Sequence, residues 1–280
     1  MPKFASVTSK NPILLVGCGK MGSAMLAGWL DQGLDAEAVH IVDPYQDSIK
    51  ENFPTIEKKQ LHKDISEVPK RLKPSIVILA VKPQMMSEAL SSLNELKIAD
   101  AVILSIAAGK NITYFEDFFG KKQAIIRAMP NTPAAIGKGV TVCIANGPVN
   151  DDQKKISSAL LKTVSSVEWV SDENLMDTVT ALSGSGPAYV FYLAEVMAAA
   201  GESLGLSPEL SRKLADQTVS GAGALLEASN ETAAKLRENV TSPGGTTAAA
   251  LDVLMSDQGI AKVIRRAMQE ARNRSKELAD

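Results

Sequence analysis

Short runs of aliphatic and β-branched residues punctuate the first part of the chain, at Ile13 to Val16, Val39 to Val42, Ile76 to Ala80, Val102 to Ile106, Ala124 to Ala128, Val140 to Ala145 and Val164 to Val170. Helix-length segments separate the first several of them. Continuous apolar strands alternating with helices predict a parallel sheet covered on both faces, with ligands at the carboxyl ends of its strands. After Asp172 the strand pattern stops. Apolar residues then recur at intervals of three and four, as in Leu210, Leu214, Thr218, Ala222 and Leu225, and again in Ile260, Val263, Ile264, Ala267, Met268 and Ala271. Ser207 followed by Pro208 reads as an N-cap with proline at the first helical position. The pattern predicts an α/β domain over 1–170 and an all-α domain over 171–280. Tyr189 to Ala200 is apolar on nearly every face, with Glu195 its one charge. A helix of that kind must be buried, and a small helical domain has little core to bury it, so a second subunit is expected to cover it.

Candidate chemistry sits where the strands end. The first strand runs into Gly17-Cys18-Gly19-Lys20-Met21-Gly22, a Gly-x-Gly-x-x-Gly turn opening an amphipathic helix. Gly17 allows the tight turn, Gly19 keeps Cβ atoms away from phosphate oxygens, and Gly22 lets the helix pack on the strand. The helix start offers unpaired N–H groups to an anion. The next strand ends in Asp43, where a dinucleotide-binding fold carries the acid that meets a ribose 2′-hydroxyl. At Ala80-Val81-Lys82-Pro83, Lys82 either reaches a ribose or phosphate or is a solvated lysine at a strand end. Ser105-Ile106-Ala107-Ala108-Gly109 places small residues where a cofactor lies close. In Arg127-Ala-Met-Pro-Asn131-Thr132-Pro133 two prolines stiffen a polar wall, and Asn131 is a candidate cofactor contact; a plain surface turn is the alternative. Ser183-Gly184-Ser185-Gly186-Pro187 interrupts a helix, since glycine and proline both oppose helix formation. That makes Ser183 and Ser185 candidate substrate contacts, or the segment a simple corner. In Ser242-Pro243-Gly244-Gly245-Thr246-Thr247 serine and proline mark a helix start whose first turn holds two glycines. Exposed N–H groups there suit a carboxylate, and the threonines add hydroxyls.

Composition narrows the classes. With 280 residues and 45% hydrophobic content, the chain can fill a large core. No apolar run approaches the roughly 18 residues of a membrane span, and the first ten residues lack the apolar stretch of a signal peptide. A net charge of −2, spread along the chain, gives no footprint for nucleic acid. Cys18 and Cys143 have neither zinc nor disulfide spacing, and two isolated histidines complete no metal site. A cytoplasmic setting and a small-molecule substrate are expected.

In their order and spacing, the segments Gly17 to Gly22, Ala80 to Pro83, Arg127 to Pro133, Ser183 to Pro187 and Ser242 to Thr247 resemble pyrroline-5-carboxylate reductase over nearly the whole chain. The resemblance implies a Rossmann-type domain, a helical dimerisation domain interlocked with a partner's, and often a decamer of such dimers. It implies NAD(P)H-dependent reduction of 1-pyrroline-5-carboxylate to L-proline, the last step of proline synthesis. Cofactor contacts carry over to Gly17 through Gly22, Ala80 through Pro83 and Ile106 through Ala108. Substrate contacts carry over to Asn239, Thr246 and Thr247, and a glutamate facing the cofactor to Glu173. Many members end the second strand with Asn-Arg or Ser-Arg, which receives the NADP 2′-phosphate. This chain reads Asp43-Pro44-Tyr45-Gln46, and the carboxylate leans the expectation toward NADH over NADPH, unless Lys50 or His62-Lys63 reaches the phosphate.

The chemistry suits the residues present. A cyclic imine is basic enough to enter partly as the iminium, so hydride addition needs no strong acid. Thr247 is the choice for a hydrogen bond to the ring nitrogen, and the Gly244 to Thr247 amides for the substrate carboxylate. A β-hydroxyacid dehydrogenase or imine reductase would share the domain order but show a catalytic Lys or Asp in the helical domain. A non-catalytic nucleotide-sensing dimer is the other alternative.

Overall fold

A computed structural model describes Phe4 and residues 6–278. Eight strands form one sheet: β1 (Ile13–Val16), β2 (Val39–Val42), β3 (Leu61–His62), β4 (Ile76–Leu79), β5 (Val102–Ser105), β6 (Ile125–Met129), β7 (Gly139–Ala145) and β8 (Ser165–Trp169). The helices are α1 (Lys20–Asp31), α2 (Gln46–Asn52), α3 (Met86–Leu93), α4 (Ile112–Phe119), α5 (Asp151–Leu161) and α6 (Met176–Val179). Five more follow: α7 (Gly186–Ser203), α8 (Pro208–Ala228), α9 (Ala233–Asn239), α10 (Thr246–Leu254) and α11 (Ile260–Glu277).

The strand order is β3-β2-β1-β4-β5-β6-β7-β8. Strands β1 to β6 run parallel, as their apolar runs imply. The expected parallel sheet has one exception, β7, which pairs antiparallel with β6 and parallel with β8. Residues 130–138 separate β6 from β7, fewer than the dozen or so that a parallel crossover takes, so the chain folds straight back. Along each strand, alternate residues feed opposite cores. Ile13, Leu15, Ile76 and Ile78 pack with Met25, Leu26 and Trp29 of α1 and Leu160 of α5. Leu14, Val16, Val77 and Leu79 pack with Met86 and Leu90 of α3 and Phe115 of α4. Two-sided burial explains why these strands carry no polar alternation.

The chain divides into two compact units. One runs from the start of the chain to Gly184 and takes in the residues from Arg272 onward; the other is Ser185–Ala271. The division therefore falls later than residue 170, because Met176 is fully buried in the core of the sheet unit and Ser275 donates to Asp177 at 2.7 Å. In the helical unit Ser207 caps α8 as expected, accepting from the Leu210 N–H at 3.3 Å. Helix α7 packs on α8 yet buries none of its residues: Phe191 is 67% exposed, Tyr192 63% and Val196 39%. The expected burial of this helix is not met within one chain. Among the described residues no helix is long and apolar enough to cross a membrane, and no group of three potential ligands could hold a metal ion.

Candidate functional site

The sheet unit gathers its candidate residues at the carboxyl ends of β1, β2, β4 and β5, where the strand order reverses around β1. Gly17 has φ +93°, and a Cβ there would lie 2.8 Å from the Ala80 carbonyl. A Cβ on Gly22 would lie 2.4 Å from the Gly17 carbonyl oxygen. Both glycines are thus dictated by packing inside the protein. Gly19 is different. Its φ is −69°, and no atom lies within 4 Å of where its Cβ would be. Open space over Gly19 faces the start of α1, where Gly19 provides no side-chain cap and the first turn holds no acid. These residues fit a pyrophosphate: an uncapped helix start, an open approach and no acid in the helix's first turn.

Asp43 points into this turn. Its Oδ2 accepts the Cys18 N–H at 2.7 Å and its Oδ1 the Tyr45 N–H at 2.9 Å. Lys20 and Lys82 are exposed, and Met21 packs partly against the core. Lys82 caps a short turn, Pro83–Met85, that leaves β4. Ala80 and Val81 lie against Gly17. Ile106 and Ala107 follow β5, with the Ile106 N–H bonded to the Leu79 carbonyl at 3.1 Å and the Ala107 N–H to Ser105 Oγ at 3.2 Å. Ala108 completes that loop before Gly109, whose φ is +73°.

Arg127 is buried on β6, and its Nη1 lies 2.9 Å from Glu173 Oε1. The same oxygen accepts the Ile112 N–H at the start of α4, also at 2.9 Å. Glu173, taken from the resemblance as a cofactor contact, is therefore committed by one oxygen to an internal ion pair. Both ends of the Asn131 amide are engaged: Nδ2 donates to the Ser183 carbonyl at 3.1 Å, and Oδ1 accepts the Val140 N–H at 2.9 Å. The helix interruption lies where Ser183 and Gly184 stand, as a π turn over Thr180–Gly184 between α6 and α7.

In the helical unit, Ser185 precedes α7 and its carbonyl accepts the Ala188 N–H at 3.0 Å. Asn239 ends α9 and donates to Glu231 Oε2 at 2.8 Å. The glycines expected inside the first turn of α10 come before it. Gly244 has φ +68°, a left-handed conformation that no helix continues, so α10 starts at Thr246 with Gly245 as its N-cap. Gly245 offers no side chain to cap the helix, and no acid stands in the first turn. Thr246 is exposed and Thr247 half-buried at this open end.

Residues 173–278 match the family model described as pyrroline-5-carboxylate reductase dimerisation. Residues 12–109 match one described as NADP oxidoreductase coenzyme F420-dependent. A pyrroline-5-carboxylate reductase from Haemophilus influenzae is 36% identical over 267 residues, which cover 95% of this chain and 97% of the relative. The chain belongs to the pyrroline-5-carboxylate reductase family. A solved reductase from Coxiella burnetii superposes with a TM-score of 0.88 at 32% identity, covering 97% of this chain and 99% of the other. A Plasmodium falciparum member, solved with NADP bound, gives 0.77 at 29% identity, covering 98% and 100%.

One feature of this family member was not legible in its sequence. His40 and His62 are not isolated: His40 Nδ1 and His62 Nε2 are 3.0 Å apart, with the rings stacked at 5.3 Å. They stand on the paired strands β2 and β3, and only recognition of the two-residue β3 could have joined them. Burial, then His62 and Lys59, lower the His40 pKa to about 4. Burial also lowers that of His62. Cys18 lends the turn its backbone rather than its thiol, whose pKa burial raises. Burial takes that of Cys143 to about 12.

Proposed function

We propose that the protein reduces the C=N bond of 1-pyrroline-5-carboxylate to give L-proline, the activity of its family. Gly17 through Gly22, Ala80 through Pro83 and Ile106 through Ala108 hold the dinucleotide, which when bound supplies the hydride. In the helical unit the open N–H groups at Gly245 to Thr247 take the substrate carboxylate, a group that a helix N-terminus favours by charge and by donor geometry. The Thr247 hydroxyl holds the ring nitrogen, Asn239 and Thr246 line the carboxylate side, and Ser183 and Ser185 complete the substrate contacts. None of these side chains is a strong acid, and none needs to be, since an iminium substrate brings its own proton. The residues act by holding and orienting the imine.

The observation that carries this reading is the start of α10, where a left-handed glycine and a side-chain-free N-cap leave helix amides open with no acid beside them. For the cofactor, we propose that NADH is preferred to NADPH. Asp43 sets its carboxyl group against the glycine turn, where such a group accepts a ribose hydroxyl and repels a 2′-phosphate. A dimer built through α7 is the proposed working unit, with the decamer an assembly of such dimers, and a cytoplasmic setting is proposed with them, which two free cysteines suit. The test is reduction of pyrroline-5-carboxylate with NADH and NADPH side by side, together with proline-dependent reduction of NAD(P)+ at alkaline pH. Absence of both reactions would overturn the assignment.

A further inference from the structure

Pro187 deprives one backbone carbonyl of its helical donor. In an unbroken helix the Ser183 carbonyl would accept from the N–H of residue 187, but proline has none. A carbonyl partly shielded from water and left alone is costly, and Asn131 makes good the loss by donating from Nδ2 at 3.1 Å. The other end of that amide accepts the Val140 N–H at 2.9 Å. The two partners leave no choice of orientation, since only a donor suits a carbonyl and only an acceptor an N–H. The turn it reaches is held from several sides. Thr180 Oγ1 donates to the Met176 carbonyl at 2.9 Å and Ser183 Oγ to the Val179 carbonyl at 3.0 Å. The Met129 methyl fills the space beside Gly184, 2.6 Å from where a Cβ would stand. At the head of the same segment, Arg127 grips Glu173. Arg127, Met129 and Asn131 all come from β6 and its exit, so the carboxyl end of a single strand sets the course of residues 173–184.

We infer that Asn131 is a positioning residue for the reductase reaction. It replaces the donor that Pro187 lacks and thereby fixes the π turn that presents Ser183. The inference rests on the assignment of Ser183 to the substrate site. It gives Asn131 a task other than touching the cofactor, and it explains why the interruption is a defined turn rather than a loose corner.

The isosteric variant Asn131→Asp keeps the acceptor for Val140 and sets an oxygen against the Ser183 carbonyl. Expected are a fall in kcat of about tenfold or more with a raised KM for pyrroline-5-carboxylate, since a half-buried carbonyl loses its partner and faces an oxygen instead. The NADH dissociation constant, read by fluorescence, should stay within about twofold of wild type. In the double variant Asn131→Asp/Pro187→Ala, the chain recovers an N–H at position 187, and part of the kcat loss should return. If Asn131→Asp does not fold, Asn131→Ala with and without Pro187→Ala gives the same comparison. Weakened NADH binding with normal turnover at saturating cofactor would make Asn131 a cofactor contact and overturn the inference. So would wild-type kinetics in the single variant, or no recovery in the double. Wild-type protein that reduces no pyrroline-5-carboxylate would instead overturn the proposed function itself.

Discussion

The backbone N–H of Cys18 lies 2.7 Å from Oδ2 of Asp43, so the glycine turn after β1 and the acid that ends β2 hold one another in place. The carboxylate also takes the Tyr45 N–H. One side chain thus shapes the turn and, in the proposed binding mode, sets the charge near the adenosine ribose.

Asp43→Asn keeps the shape and removes the charge. The ratio of kcat/KM for NADPH to that for NADH should rise by about tenfold or more, because a fixed charge no longer opposes a 2′-phosphate. Thermal stability should fall slightly as one of two N–H groups loses its acceptor. An unchanged cofactor ratio would show that Asp43 serves the turn alone.

Gly19→Ala and Gly22→Ala should separate cofactor binding from folding. The first places a methyl group in open space at an ordinary backbone angle, so Tm should stay put while NADH binding weakens by about tenfold. The second drives a Cβ to 2.4 Å from a backbone oxygen and should cost about 1–3 kcal/mol or more. Equal loss of stability in both variants would refute this division of labour.

Sequence alone placed β1, β2, β4, β5 and the glycine turn well, because two-sided burial writes an unbroken apolar run and because Gly22 answers a steric demand from Gly17, a few residues away, although the demand on Gly17 comes from distant Ala80. It missed β3, whose two residues show no period. Strand direction at β7 was equally hidden, since an apolar run does not record which way it points. The start of α10 was set a turn early because Ser242-Pro243 reads as a cap until the left-handed Gly244 is seen. Long-range partners stayed out of reach: Glu173 and Arg127 are ordinary charged residues until the fold brings them to 2.9 Å, and so are His40 and His62 until β2 pairs with β3.

Thr247→Val removes a hydroxyl at the open end of α10 while nearly keeping shape. Turnover should drop by one to two orders of magnitude, matching about 1.5–3 kcal/mol for a hydrogen bond to a charged group such as an iminium. NADH affinity should be nearly unchanged. A parallel loss of NADH binding would remove Thr247 from its place at the ring nitrogen.

The histidine pair makes stability sensitive to acid. His40 has a pKa of about 4 in the folded chain against 6.5 when unfolded, and that of His62 is lowered too. The unfolded chain therefore binds more protons between those values, and stability falls as pH drops from 6.5 toward 4. Urea midpoints measured across that range should decline, and His40→Gln should flatten the decline. A variant with the same slope as wild type would show that other groups carry it.

Helix α7 supplies the test of assembly. In one chain its apolar residues stand in the open, Phe191 at 67% and Val196 at 39% exposure, and such a surface is tolerated where a partner covers it. The residues belong to the segment that matches the family's dimerisation model. Val196→Glu would set an unpaired charge in that covered layer, at a cost of about 3–5 kcal/mol. Light scattering should then report a monomer or aggregate, circular dichroism should show whether helices persist, and reductase activity should vanish with the dimer. A folded, fully active monomer would show that α7 needs no partner and that the dimer is not the working unit.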